Sequence, residues 1–117
     1  MTPHLVVACL VFASSLAVGQ ILFKLAAGDL KQRLPLGWVE AMFSPWLVSA
    51  IVLYVASTAL WLYILSHLPL SRAYPFTLLG ATLVPLLAWR VLGESLPGPY
   101  LLGLALVLAG LAIIQLS

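Results

Sequence analysis

The sequence predicts an all-α integral membrane protein, with four transmembrane helices joined by short loops in a single domain over residues 1–117. Two features of the chain and one property of lipid carry that expectation. Only 7% of the residues are charged while 64% are hydrophobic, and mean hydropathy is +1.20; a soluble domain sits far below both apolar measures. Four apolar stretches occupy nearly the whole chain, each close to the roughly twenty residues that cross a hydrocarbon core of about 30 Å. Lipid offers the backbone no hydrogen-bond partners, so these stretches must satisfy their own amides, which makes them helices. The spans are placed at residues 5–27, 45–67, 72–91 and 97–116.

The first stretch follows Met-Thr-Pro-His without a basic leading segment, so it is expected to stay as a membrane helix rather than act as a cleaved signal. Cys9 lies within it and is expected to serve as a small packing residue. One cysteine builds neither a disulfide framework nor a cysteine-based metal site. Residues 28–44 form the longest expected loop, holding Asp29, Lys31, Arg33 and Glu40, half of all the charges. Its Leu34-Pro35-Leu36-Gly37-Trp38 stretch suits the headgroup level, where tryptophan is favoured. The second span ends in a short turn, 67–71, containing Pro69.

Two prolines mark the third span. Pro75 follows Tyr74 near its start and Pro85 lies mid-span. Each removes a backbone donor and frees a carbonyl one turn earlier, so the helix is expected to be kinked and movable, lining a cavity. In the loop 92–97, Ser95 is the expected N-cap of the fourth helix, with Pro97 in its first turn. The fourth span is the richest in small residues, and Gly103 and Gly110 lie two turns apart on one face. Such a face lets backbones approach closely, so it is expected to pack against a helix or a second protomer. Four short helices enclose little space. A homodimer, or a heterodimer with a related small membrane protein, would supply eight helices and an interface cavity.

Lysine and arginine near the helix ends set orientation. Lys24, Lys31, Arg33 and Arg90 fall on one side and Arg72 on the other, which places the first and third loops in the cytoplasm and both termini outside. The net charge of +2 arises from five cations and does not describe a nucleic-acid surface.

No nucleophile with its base is visible, and Asp29, Glu40 and Glu94 all sit in loops or at a helix end. Neither an enzyme, a metal site nor a cofactor is expected. Lys24 is the sharpest single residue. It lies four residues after Gln20, on the same helix face, near the inner end of the first span. Together they offer a positive charge and an amide to a phosphate or polar headgroup; the plainer reading is a snorkelling lysine and an interhelical hydrogen bond. Arg72 and Arg90 bracket the third span about 27 Å apart, so they cannot share one headgroup. They suit the entry and exit of a path, or simply anchor the helix in the headgroups. Trp61, Tyr63 and Tyr74 either line the same cavity or pack between helices.

Val18-Gly19-Gln20-Ile21-Leu22-Phe23-Lys24 resembles the end of the first helix in small four-helix members of the drug/metabolite transporter superfamily. Trp61-Leu62, Pro69 and Ala73-Tyr74-Pro75 resemble that group's passage from the second helix to the third. Gly93-Glu94 before a glycine-rich helix resembles the end of an EamA-type repeat. The resemblance is nearest to the aminoarabinose-phosphoundecaprenol flippase subunits of bacterial inner membranes. It is more distant from the small multidrug resistance exporters, whose hallmark is a glutamate within the first helix. The corresponding stretch here, Phe-Ala-Ser-Ser-Leu-Ala-Val at 12–18, has no carboxylate. What the resemblance implies is a flippase subunit for a lipid-phosphate-linked sugar, with Lys24 near the phosphate. A small-solute or cationic drug exporter of the same superfamily and an accessory subunit of a membrane enzyme stay open as alternatives.

Overall fold

The computed structural model describes residues 2–117. Four helices long and apolar enough to cross a membrane fill it, and no strand occurs among the described residues. Helix α1, Pro3–Arg33, is 31 residues long. At 1.5 Å per residue it extends about 46 Å, well past a hydrocarbon core of about 30 Å. The expected loop 28–44 is therefore largely helical. α1 continues through six further residues, and a 3-10 turn, Leu34–Leu36, then leads into a short helix, α2, Trp38–Met42. The i,i+4 ion pair between Asp29 and Arg33 supports that extra length. Gly37, at φ +128°, takes the backbone conformation that ends the turn.

α3, Pro45–His67, begins at Ser44, whose hydroxyl accepts from the Leu47 amide in an N-cap. The short helix α4, Leu70–Ala73, and α5, Pro75–Val91, meet at Tyr74. The backbone stays αR at Tyr74, so α4 and α5 run as one spanning segment, Leu70–Val91, and Pro75, lacking an N–H, interrupts its hydrogen bonding at the junction. Pro85 does lie inside α5 and has no N–H to give the Ala81 carbonyl. α6, Gly98–Leu116, is capped by Pro97 without any side-chain hydrogen bond, so Ser95 is not its N-cap. Extended backbone at Pro97, φ −67° and ψ 159°, starts the helix one residue later than expected.

α1 is the hub. It packs on α3 along one side and on α5 along the other, and α6 leans chiefly on α5. The described chain measures 52 × 38 × 17 Å. Helices about 10 Å across laid side by side as α3, α1, α5 and α6 give a flattened body, its 17 Å depth between one and two helix diameters. Asp29 bonds to Ser44 at the start of α3, and Arg72 donates to the Ser117 carbonyl at 2.8 Å. These contacts place the ends: α1 and α5 run one way, α3 and α6 the other.

The apolar core gathers at the end nearest the α3–α4 turn, where Cys9 and Phe12 of α1 meet Ile64, Ala73 and Phe76. Elsewhere the packing rests on small side chains. Ala13, Ala17, Gly19 and Ala26 are buried on α1, Ala50 and Ser57 on α3, and Gly80, Thr82 and Ala88 on α5. Gly80 marks the tightest crossing, since a Cβ there would lie 2.8 Å from the Ala13 carbonyl oxygen. Gly103 and Gly110, by contrast, face open space within the protomer.

Gly80→Ala therefore forces α1 and α5 apart. It is expected to cost about 1–3 kcal/mol, in the range of overpacked cores, and to lower the thermal unfolding midpoint in detergent. Gly103→Ala, with nothing to clash against, should not destabilise the monomer and should stabilise it by up to about 1 kcal/mol.

Candidate functional site

Gln20 occupies an unusual place on α1. Going round the helix from Gln20 at 100° per residue, buried Cys9 and Ala13 point within about 20° of the same direction. Gln20 is nevertheless exposed. The neighbouring helices, closed on Ala13 at Gly80, leave a groove in front of it. That groove, of about 310 Å³, is lined by Leu16 and Gln20 of α1 with Thr77, Gly80, Ala81 and Val84 of α5. A second, narrower cleft reaches Gln20 from the α3 side past Gly19, Phe23, Tyr54 and Ser57. One amide side chain thus stands where two helix seams meet.

The polar groups of the larger groove are few. Gln20 brings an amide donor and acceptor, and Thr77 a hydroxyl that donates to the Tyr74 carbonyl at 2.6 Å and keeps its own lone pairs. Ala81, whose carbonyl Pro85 cannot serve, borders the same space. Lys24 is exposed one turn beyond Gln20 on the same face, at the margin of the groove rather than in its lining.

The remaining sequence candidates separate into other settings. Trp61 stacks on Phe12 with centroids 4.7 Å apart and planes at 19°, and meets Tyr74 edge-on at 6.4 Å. This trio joins α1, α3 and the α4–α5 junction above the groove. Such pairs contribute about 0.5–1.5 kcal/mol beyond area burial. Tyr63, exposed, lies against His67 at 4.6 Å and does not share a cavity with Trp61. Arg72 is occupied by the Ser117 carbonyl, and Pro75 is buried at the start of α5. Arg90 lies about 120° around α5 from Val84, away from the groove. Sequence reasoning missed Gly80, Thr77, Ala81 and Val84. A glycine inside a helix, costing about 1 kcal/mol against alanine, was the one available signal.

Beyond the membrane-spanning part of α1, a clamp ties its end to α3. Asp29 accepts from the Ser44 hydroxyl and from Arg33 Nε at 3.0 Å, and Arg33 Nη1 donates to the Glu40 carbonyl at 3.3 Å. The Ser44 hydroxyl chiefly holds the Asp29 carboxyl below its ordinary range; desolvation pushes the other way, and Arg33 adds to the lowering.

Four apolar helices of spanning length, with a sparse polar groove between the parallel α1 and α5, define a small multi-pass membrane protein. The chain is 36% identical over 112 residues to the probable 4-amino-4-deoxy-L-arabinose-phosphoundecaprenol flippase subunit ArnE of Pectobacterium atrosepticum, with 96% of each chain covered. It is 35% identical over 111 residues to the protein of the same description from Salmonella typhimurium, covering 90% of this chain and 92% of that one. The chain therefore belongs to the family of these flippase subunits. No family model matches it, and no solved structure does.

The clamp sets an acid dependence. A carboxyl held low in the folded state stabilises it above the unfolded value, about 3.9, and loses that effect as pH falls through the folded value. The unfolding midpoint of the parent should exceed that of Asp29→Asn at pH 7, and the gap should close as pH drops below about 4. A gap unchanged down to pH 3 would mean that the charge of Asp29 contributes nothing.

Proposed function

We propose that this protein is a flippase subunit of the bacterial inner membrane, moving the headgroup of a lipid-phosphate-linked sugar of the undecaprenyl-phosphate type. The observation that carries the reading is the setting of Gln20 and Lys24. An amide stands at the meeting of two helix seams, a cation lies one turn along the same face, and no carboxylate lines the groove. A polyprenyl tail can remain in the lipid while its headgroup crosses, so the path needs few polar groups. It also needs a side opening to lipid, and Gln20, exposed in the groove between α1 and α5, is consistent with one. The relatives are described as subunits that flip 4-amino-4-deoxy-L-arabinose-phosphoundecaprenol, which supports the same chemistry here.

In this reading Lys24 neutralises the phosphate near the membrane boundary and Gln20 hydrogen-bonds the headgroup as it enters the apolar zone. Thr77 offers a further acceptor and donor on the opposite wall. Such contacts replace water that the headgroup gives up, and each polar group left unmatched there costs about 1–3 kcal/mol. Trp61 and Tyr74 hold the closed end of the groove, and Pro85 allows the Ala81 segment to adjust. Arg72 marks the far end of the path. The groove lining offers one amide and one hydroxyl with no base beside either, which suits transport rather than catalysis. Proton-coupled drug export is the weaker alternative, because it calls for a titratable carboxylate in the membrane.

The thin protomer is read as half of an assembly, completed by a second copy or a related small membrane protein packed along the Gly103 and Gly110 face. The first and third loops lie in the cytoplasm and both termini outside, following the four-to-one distribution of lysine and arginine.

The test is headgroup translocation in proteoliposomes at matched expression, with the partner subunit present if one is required. Lys24→Ala is expected to lower the rate at least tenfold and Gln20→Ala several-fold. Rates unchanged in both variants would remove the assignment.

A further inference from the structure

The extra helical length of α1 carries Lys31 onto the functional face. Taken as part of a loop, Lys31 has no defined direction. In an unbroken helix it lies about 20° around from Gln20, with Lys24 at about 40°. Gln20, Lys24 and Lys31 therefore form one narrow stripe, rising about 16 Å over three turns from the groove to the end of α1.

The charges around this stripe leave it uncompensated. Asp29 lies about 180° around the helix from Gln20 and is occupied by Arg33 and Ser44. Glu40 and Glu94 belong to the same end of the molecule, yet the only salt bridge among the described residues is Asp29–Arg33. Lys24 and Lys31 are both exposed, and neither engages a side chain or carbonyl. Their backbone positions are about 10 Å apart along the helix, so a phosphate can pass from one ammonium group to the next. Taking the apolar run to end at residue 27, Lys31 lies four residues beyond it and Lys24 three residues inside it.

We propose that Lys31 is the loading residue for a lipid-borne phosphate, drawing the headgroup to the end of α1 and passing it to Lys24 and Gln20. This rests on the flippase reading and adds the point of entry. Lys31 is a positioning residue whose work is electrostatic. A cation close to a membrane surface adds roughly fivefold to the affinity for an anion there, and salt screens that gain.

The experiment is a titration of the full-length protein in phosphatidylcholine nanodiscs with undecaprenyl phosphate, read by native mass spectrometry at low and high ammonium acetate. Lys31→Gln is expected to raise the apparent Kd about fivefold at low salt and to show a smaller change at high salt, while Lys31→Arg binds like the parent. Equal Kd for parent and Lys31→Gln, with Lys24→Ala still weakened, would overturn the loading role and leave the flippase reading standing. A loss in Lys31→Arg as large as in Lys31→Gln would also overturn it, since charge would not be the agent. Failure of the parent to bind undecaprenyl phosphate would remove the reading underneath. Competition by millimolar inorganic phosphate as effective as by the lipid would reassign the stripe to a soluble anion and overturn the lipid assignment.

Discussion

The close crossing of α1 and α5 at Ala13 and Gly80 is the contact on which the rest of this structure depends. Helices in lipid gain little by hiding apolar surface from one another, because the tails are as apolar as leucine. What holds them is dispersion at short range and the shape that permits it. Small residues on α1, with Gly80, Thr82 and Ala88 on α5 and Ala50 and Ser57 on α3, provide that shape. The crossing also makes the groove. Helices pinned together at Gly80 leave open space beside Gln20, so packing and site follow from the same glycine.

The two ends of the molecule are built differently. At the α3–α4 turn, Cys9, Phe12, Ile64, Ala73 and Phe76 form an apolar cluster, with Trp61 stacked over Phe12 and Tyr74 at its edge. At the other end a charged clamp of Asp29, Arg33 and Ser44 fixes the entry into α3. At this clamped end, between Arg33 and Ser44, a short exposed segment carries Leu36, Trp38, Val39, Met42 and Phe43 outward. Those side chains suit the headgroup region, where tryptophan and apolar groups are both accommodated. One end is thus closed by apolar packing, while the clamped end presents charged groups.

Small-residue content alone misdirects attention in such a chain. α6 carries the densest run of glycine and alanine, yet Gly103 and Gly110 meet nothing within the protomer. Gly80, the single glycine of α5, makes the closest approach. The number of small residues on a helix says that close packing is allowed, and only the arrangement of neighbours says where it happens. The aromatic candidates separated for a similar reason. Trp61 and Tyr63 are two residues apart, about 200° around the helix, so one turned inward to Phe12 and the other outward to His67.

The sequence by itself determined the class of fold, because apolar runs of spanning length in a chain with so few charges leave the backbone no choice but helix. It also determined that Gln20 and Lys24 share a face, since four-residue spacing places them so in any helix. Tertiary structure decided the rest. Gly28-Asp29 reads locally as the end of a helix, yet α1 continues to Arg33, held by the Arg33 ion pair and the Ser44 hydroxyl donated from fifteen residues away. That continuation puts Lys31 in register with Lys24. Likewise the groove exists because α5 meets α1 at one point and parts from it at another, a distance between helices that local sequence does not encode.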